Sequence, residues 1–183
     1  EGTNVREFEE KFADKFGYKH AIATSSGTDA DMVSCASLYD FGAKRGDEII
    51  VPALSFVATA NSILAAGFIP KFVDIRVETL NIAPSKIEEA ISDKTRAIMV
   101  VHTMGKPCEM DPILEIARTH NLRIIEDSCE AHGAAYKGRV IGSIGDMGTF
   151  SFYAAHVVVS GEGGMVVTQN DEMADVVRSG KSH

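Results

Sequence analysis

The stretch RAIMVVHTMGKPCEMDPILEIARTHNLRIIEDS, residues 96–128, places two short apolar runs on either side of a helical pattern. Short runs that are nearly all apolar are typical of strands covered on both faces of a sheet. The segment between them, DPILEIARTH, predicts a helix. The order strand, helix, strand indicates an α/β fold with a mostly parallel sheet.

The same alternation runs through the rest of the chain. Further strands are predicted in HAIAT, DEIIVP, PKFVDI, DMGTFSF and GMVVT, and further helices in NVREFEEKFADKF, from SSGTDADM to Gly42, in FVATANSILAAG and in SKIEEAI. Because no repeat, low-complexity tract or Pro/Ser-rich linker interrupts this pattern, we expect a single domain over residues 1–183.

Composition limits the classes of partner and compartment. The chain has 183 residues, a formal net charge of −8 and three cysteines. Scattered basic residues in an acidic chain argue against a nucleic-acid surface. No apolar run approaches the ~20 residues that a membrane span needs. The cysteines form no disulfide framework, so we expect a reducing compartment, the cytoplasm.

The two ends of the chain suggest a fragment. It begins at Glu1, and a helical pattern is still running in its last residues, RSGKSH. We therefore expect a piece of a longer protein.

The turn TSSGTDA, residues 24–30, leads from a predicted strand into a predicted helix. Free N–H groups at a helix start can bind phosphate, with Gly27 allowing close approach and Thr28 adding a hydroxyl. An ordinary N-cap is the alternative interpretation of these residues.

Two further positions follow strand ends, where open α/β sheets bind ligands. Phe56 could offer a flat face to a bound ring, although buried core packing is the more common role of phenylalanine. Glu126 and Asp127 close an apolar strand. A carboxylate there could face a protonated ring nitrogen, or could serve as a turn residue.

Cys129 and His132 form a C-x-x-H pair without a second pair at zinc-ligand spacing. We therefore expect no metal site.

The stretch GTFSFYAAHVVVSGEGGMVVT, residues 148–168, reads as strand, irregular link, tight turn and strand. Ser151 ends the first strand and could donate to a phosphate. Neither GEGG nor GSIGDMG fits a Walker or Rossmann pattern, which makes a nucleotide loop a weak alternative.

Read together and in order, these segments resemble the large domain of the DegT/StrS-type sugar aminotransferases. The resemblance runs nearly from end to end, through segments such as VREFEEKFADKFGYKHAIATSSGTDA, DEIIVPALSFVATANSILAAGFIPKFVDI and GEGGMVVT. It implies a fold type I domain with a three-layer α/β/α architecture and pyridoxal 5′-phosphate (PLP) or pyridoxamine 5′-phosphate (PMP) as cofactor. It also implies a C-terminal small domain, which is absent here, and a homodimer.

Matched by position, the resemblance implies a role for six cofactor-binding residues. Gly27, Thr28 and Ser151 would hold the phosphate, and Phe56 would stack on the ring. Asp127 would face the pyridine nitrogen. Glu130 falls near the cofactor's phenolic oxygen, where many family aminotransferases have glutamine.

His156 is the larger departure from the family pattern. It stands five residues after Ser151, where the aminotransferases have the lysine that binds the cofactor covalently, and no lysine lies between Lys137 and Lys181. The same exchange marks a branch that this chain resembles, the 3-dehydratases of nucleotide-linked 4-keto-6-deoxy sugars. Ala154 departs from that branch, which has proline there, whereas an acidic residue at 130 fits it.

The exchange has a chemical reason in a dehydratase. Histidine can act as base and then as acid near neutral pH. It does not form the covalent link through which a lysine would release an aminated sugar. The resemblance therefore implies C3 dehydration with His156 as acid/base, a nucleotide-sugar substrate and an amino-acid amino donor.

Two alternatives remain open from the sequence. One is a sugar aminotransferase whose lysine has been replaced at position 156. The other is a non-catalytic subunit that binds the cofactor or serves in assembly.

Overall fold

A computed structural model describes residues 2–182, and of Ser182 only the backbone. The seven strands of the main sheet are β1 (His20–Thr24), β2 (Glu48–Pro52), β3 (Ile69–Val73), β4 (Thr95–Val101), β5 (Arg123–Asp127), β8 (Met147–Ser151) and β9 (Gly164–Thr168). A separate small hairpin pairs β6 (Ala135–Tyr136) with β7 (Arg139–Val140). The helices are α1 (Thr3–Phe16), α2 (Gly27–Ser37), α3 (Val57–Ala65), α4 (Pro84–Ala90), α5 (Met110–His120) and α6 (Asp171–Ser182).

The main sheet is mostly parallel, as the sequence predicts. Its strand order is β1-β9-β8-β5-β4-β2-β3, and the neighbours from β8 to β3 are all parallel. Strand β9 runs antiparallel to both β8 and β1. The carboxyl ends of the parallel strands therefore meet along one edge of the sheet.

Helices cover both faces of the sheet and make three layers. Alternate residues of one strand enter different cores, since side chains in a strand point to opposite faces. Ile49 and Val51 of β2 pack in a core with residues of α2, α3 and α6, whereas Ile50 packs in a core with residues of α4 and α5. Helix α1 lies over β1, β8 and β9 through an aromatic cluster that includes Phe12 and Phe150. This arrangement confirms the predicted α/β/α class.

Two local features differ from the sequence prediction. The helix predicted up to Gly42 ends at Ser37, and a 3₁₀ turn over Leu38–Phe41 continues to Gly42, whose φ of 91° ends it. The small hairpin β6–β7 interrupts the long connection between β5 and β8, which the sequence treats as loop. Neither difference changes the sheet.

Within residues 2–182, no helix combines the length and apolar character required to cross a membrane.

Candidate active site

The start of α2 and the end of β8 lie against each other at the carboxyl edge of the sheet. A Cβ at Gly27 would lie 2.5 Å from the Ser151 Cβ and 2.9 Å from its hydroxyl oxygen. Glycine is therefore needed here for contact with Ser151, whereas the sequence suggested a need for contact with phosphate. The two predicted phosphate-binding residues are brought together.

The N-terminus of α2 combines both interpretations of TSSGTDA. Ser26 is an N-cap, and its hydroxyl accepts a hydrogen bond from the Asp29 N–H at 3.1 Å. The N–H groups of Gly27 and Thr28 precede the first intrahelical bonds. The Thr28 side chain is exposed at this helix end. Capping by Ser26 thus leaves the two preceding amides for an anion.

The GEGG turn, residues 161–164, packs against the start of α2. Gly161 and Gly163 have φ values of 89° and 140°, which explains glycine at both positions. Gly164 begins β9 opposite Ser151, and a Cβ there would collide with the carbonyl oxygen of Ser26. The turn therefore has a structural role beside the candidate site.

Asp127, at the end of β5, is buried and its carboxylate is held by two neighbours. Its Oδ2 accepts from the Thr59 hydroxyl at 2.8 Å, and its Oδ1 accepts from the Cys129 N–H at 3.3 Å. Thr59 lies in the first turn of α3, and its N–H donates to the carbonyl of Phe56 at 3.1 Å. Thr59 thus connects Asp127 to Phe56, whose ring is 75% exposed. That exposure contradicts a core role for Phe56 and leaves the ring free to cover a ligand.

A second buried acid lies behind Asp127. Asp31 of α2 is 2% exposed, and its Oδ1 is 2.6 Å from the Thr149 hydroxyl of β8. One carboxylate oxygen of Asp31, one of Asp127 and the Cys129 sulfur all lie within 4.8 Å of one another. Burial, followed by the charge of Asp127, raises the pKa of Asp31 well above its ordinary value, while the bond from Thr149 opposes that rise. The sequence reasoning missed Asp31, although a charged residue inside the small, apolar run ADMVSCAS was a signal.

Glu126 points to the opposite face of β5 and is fully buried. Its Oε1 accepts from the N–H groups of Ile144 at 2.7 Å and Gly145 at 2.6 Å, and its Oε2 accepts from Gly142 N–H at 3.0 Å. His102 lies 3.0 Å from the same Oε2 through its Nε2, while its Nδ1 accepts from the Cys108 N–H. Because Nδ1 is an acceptor, Nε2 carries the proton toward Glu126. Glu126 therefore holds the loop that leads into β8.

Glu130 is exposed near the same edge. Its Oε2 accepts from the Met104 N–H at 2.6 Å, within a turn where Met104 has a φ of 54°. The carboxylate therefore fixes the turn after β4. A contact with the cofactor's phenolic oxygen stays a prediction.

His156 lies in the turn that follows β8. Its N–H donates to the carbonyl of Tyr153 at 2.9 Å, and the two rings meet edge to face with centroids 6.2 Å apart. The ring is partly exposed. Burial, with a smaller contribution from the nearby charge of His156, lowers the pKa of His132 to about 4. His156 is thus held on a short turn, five residues beyond Ser151.

Lys137 is engaged elsewhere. It lies at the tip of the small hairpin, pairs with Asp111 of α5 and lies over the Tyr136 ring. Its side chain is 67% exposed. Lys137 therefore lies on the hairpin between β5 and β8 and not in the turn after β8 that carries His156.

The residues at this edge fit a PLP-type cofactor. Such a group needs an anion site, a flat contact for its ring and a carboxylate for its nitrogen. The start of α2 with Ser151 offers an anion site, and exposed Phe56 offers a flat contact. Buried Asp127, linked to Phe56 through Thr59, offers the carboxylate.

The model of the DegT/DnrJ/EryC1/StrS aminotransferase family matches residues 1–183. The chain belongs to this family. It is 46% identical over 177 residues to GDP-perosamine synthase of Caulobacter vibrioides. This match covers 97% of this chain and 47% of that protein. It is 43% identical over 183 residues to dTDP-4-dehydro-2,6-dideoxy-D-glucose 3-dehydratase of Saccharopolyspora spinosa. This match covers 97% of this chain and 40% of that protein. The chain thus spans less than half the length of these relatives.

Solved structures of the family share the fold. GDP-4-keto-6-deoxy-D-mannose-3-dehydratase of E. coli with bound hydrated PLP superposes with a TM-score of 0.90 at 38% identity, over 97% of this chain and 46% of that one. The sequence-based recognition of the family and its fold is therefore confirmed. The predicted cofactor class, PLP, is confirmed as that of the family.

Proposed function

We propose that this domain belongs to a PLP/PMP-dependent enzyme that removes the C3 hydroxyl of a nucleotide-linked 4-keto-6-deoxy sugar. His156 carries this proposal, because it stands five residues after Ser151, where the family aminotransferases have the Schiff-base lysine. The partners implied are a nucleotide-sugar substrate, an amino-acid amino donor and a second copy of the chain.

All six predicted binding residues have a task in this proposal, with Glu130 near the cofactor's phenolic oxygen. The N–H groups and hydroxyl of Gly27 and Thr28, with the Ser151 hydroxyl, bind the phosphate. Phe56 covers the ring, and Asp127 faces its nitrogen. When bound, the cofactor supplies an electron sink for the reacting sugar.

His156 moves the proton in this account. A ring nitrogen of His156 removes the proton whose loss allows the C3 hydroxyl of the sugar to leave. The protonated ring then returns a proton to that hydroxyl, which departs as water. A turn fixed by the Tyr153 carbonyl keeps the imidazole within reach without a covalent bond to the cofactor.

The second candidate is a sugar aminotransferase with the lysine replaced. The comparison of sequence identities favours it, since the chain is 46% identical to a perosamine synthase and 43% identical to a 3-dehydratase. A histidine at 156 would leave such an enzyme without the covalent link that completes amino transfer.

The third candidate, a non-catalytic subunit, loses support from the ordered contacts of Asp127 and Ser151. An unchanged PLP or PMP absorption spectrum on titration with the protein would favour this candidate.

A product assay separates the candidates. The full-length protein is incubated with PLP, L-glutamate and a 4-keto-6-deoxy nucleotide sugar, and the products are identified by mass spectrometry. We expect a 3-deoxy sugar from the wild type and a loss of at least about a hundredfold in rate in His156→Asn, because general acid–base catalysis contributes about this much. His156→Lys tests the second candidate, since it restores the family lysine. An aminated sugar as the sole wild-type product would overturn the proposal.

A further inference from the structure

Two buried carboxyl groups lie together beneath the candidate cofactor site. Asp31 is 2% exposed and Asp127 is 6% exposed, and oxygens of the two lie within 4.8 Å of each other. Like charges at such a separation away from water repel strongly. One proton shared between the two acids removes that repulsion.

The hydrogen bonds distinguish the two acids. Asp127 accepts from the Thr59 hydroxyl and from the Cys129 N–H. For Asp31, the one hydrogen bond found within residues 2–182 is with the Thr149 hydroxyl. Several donors stabilise a carboxylate. Asp127 is therefore the better site for the negative charge, and Asp31 for the proton.

Thr149 can accommodate a proton on Asp31. Its hydroxyl oxygen lies 2.6 Å from Asp31 Oδ1 and 3.3 Å from the carbonyl oxygen of Glu126. A protonated Asp31 donates to Thr149, and the Thr149 hydroxyl then donates to the Glu126 carbonyl. Each hydrogen in this short chain has an acceptor.

Two thiols near Asp31 are kept neutral by burial. Burial, followed by the charge of Asp31, raises the pKa of Cys35 well above its ordinary value. Burial, followed by the charge of Asp127, does the same for Cys129. Neither thiol therefore compensates a second negative charge here.

We propose that Asp31 is a positioning residue that holds a proton and thereby leaves Asp127 as the single anion facing the cofactor nitrogen. The inference rests on the proposed assignment of Asp127 to that nitrogen. It does not depend on whether the sugar product is dehydrated or aminated.

Infrared spectroscopy of the full-length protein tests this charge assignment. A protonated carboxylic acid has a C=O stretch separate from that of carboxylates. We expect this band at neutral pH, a shift of the band in D₂O, and loss of the band in Asp31→Asn but not in Asp127→Asn. No such band in the wild type, or its loss in Asp127→Asn alone, would overturn the proposal.

Thr149→Val gives a second test that does not remove either acid. Loss of the Thr149 hydroxyl should shift the acid band of Asp31, because its hydrogen-bond partner is removed. An unshifted band would contradict the assignment, even where Asp31→Asn fails to fold.

Cofactor titration connects the charge state to binding. We expect the Kd for PMP, followed by absorption, to rise at least about tenfold in Asp127→Asn and by less than about twofold in Asp31→Asn, since asparagine reproduces a neutral acid. A similar loss in both variants would show that Asp31 acts as an anion. Weak PMP binding by the wild type, together with an acid band on Asp31, would instead count against the proposed function alone.

Discussion

At the scale of single residues, strand β5 separates two neighbouring acids by the alternation of its side chains. Asp127 faces α2 and α3, where it meets Thr59 and lies near Asp31. Glu126 faces the other side, where it binds the loop before β8. Asp127 thus lies at the candidate site. Glu126 binds the loop that leads into β8, the strand that ends at Ser151 and is followed by His156.

Gly27→Ala should destabilise the protein. The added methyl group would lie 2.5 Å from the Ser151 Cβ, and both groups belong to regular elements that resist movement. We expect a loss of about 1–3 kcal/mol in the free energy of unfolding, the usual cost of overpacking. Urea unfolding followed by circular dichroism measures it.

Gly180→Ala in α6 is the matched control, because a Cβ there meets only a methyl group of Val33, at 3.3 Å. Alanine also favours a helix over glycine. An equal loss in both variants would show that contact with Ser151 is not the reason for glycine at 27.

His132 predicts a pH dependence of stability. Its pKa is lowered to about 4 from an ordinary 6.5, chiefly by burial. The unfolded chain therefore binds a proton at this residue between these pH values while the folded protein does not. Stability should fall as the pH drops from about 6.5 toward 4.

His132→Phe should reduce this acid sensitivity. The ring lies among Phe12, Phe150 and Phe152, with centroids 5.0–6.5 Å away. Neither of its ring nitrogens has a hydrogen-bond partner within the described part of the chain. We expect the fall in Tm between pH 7 and pH 5 to be smaller in His132→Phe than in the wild type or in the control His120→Asn, which changes a histidine in the last turn of α5. Parallel curves for all three proteins would refute this role of His132.

At the scale of elements, the strands and helices follow from local patterns, whereas the contacts that build the site do not. The apolar runs predicted all seven strands of the main sheet, and Asp127 and Ser151 end neighbouring parallel strands as the sequence suggested. Thr59 and Asp127 are 68 positions apart, and Asp31 and Thr149 are 118 apart. No periodicity or spacing joins residues at such distances, so these pairs required the folded structure.

Glu126→Gln should weaken the connection between β5 and β8. The amide would place an NH₂ group against backbone N–H donors that now share a carboxylate. Since removing one partner of a buried network leaves others unsatisfied, we expect a loss of roughly 2–4 kcal/mol in the free energy of unfolding.

Glu115→Gln is the control for this charge change, since Glu115 is 62% exposed and pairs with Arg118 on the surface of α5. We expect a change within about 0.5 kcal/mol there. A comparably small effect at Glu126 would mean that its buried hydrogen bonds do not stabilise the loop.

At the scale of the whole molecule, the fold brings the predicted cofactor-binding residues Gly27, Asp127 and Ser151 to one edge of the sheet. The sheet brings the ends of β1, β5 and β8 together, and the turn after β8 holds His156. Phe56, Met104 and Val157 are among the exposed apolar side chains, and the homodimer stays a prediction.

The central claim is that the cofactor is held without a covalent bond to residue 156. The most direct measurement is the intact mass of the full-length protein after incubation with PLP, reduction with borohydride and denaturation. We predict that the wild type keeps its unmodified mass, whereas His156→Lys gains the mass of one phosphopyridoxyl group. Stoichiometric labelling of the wild type would contradict the account.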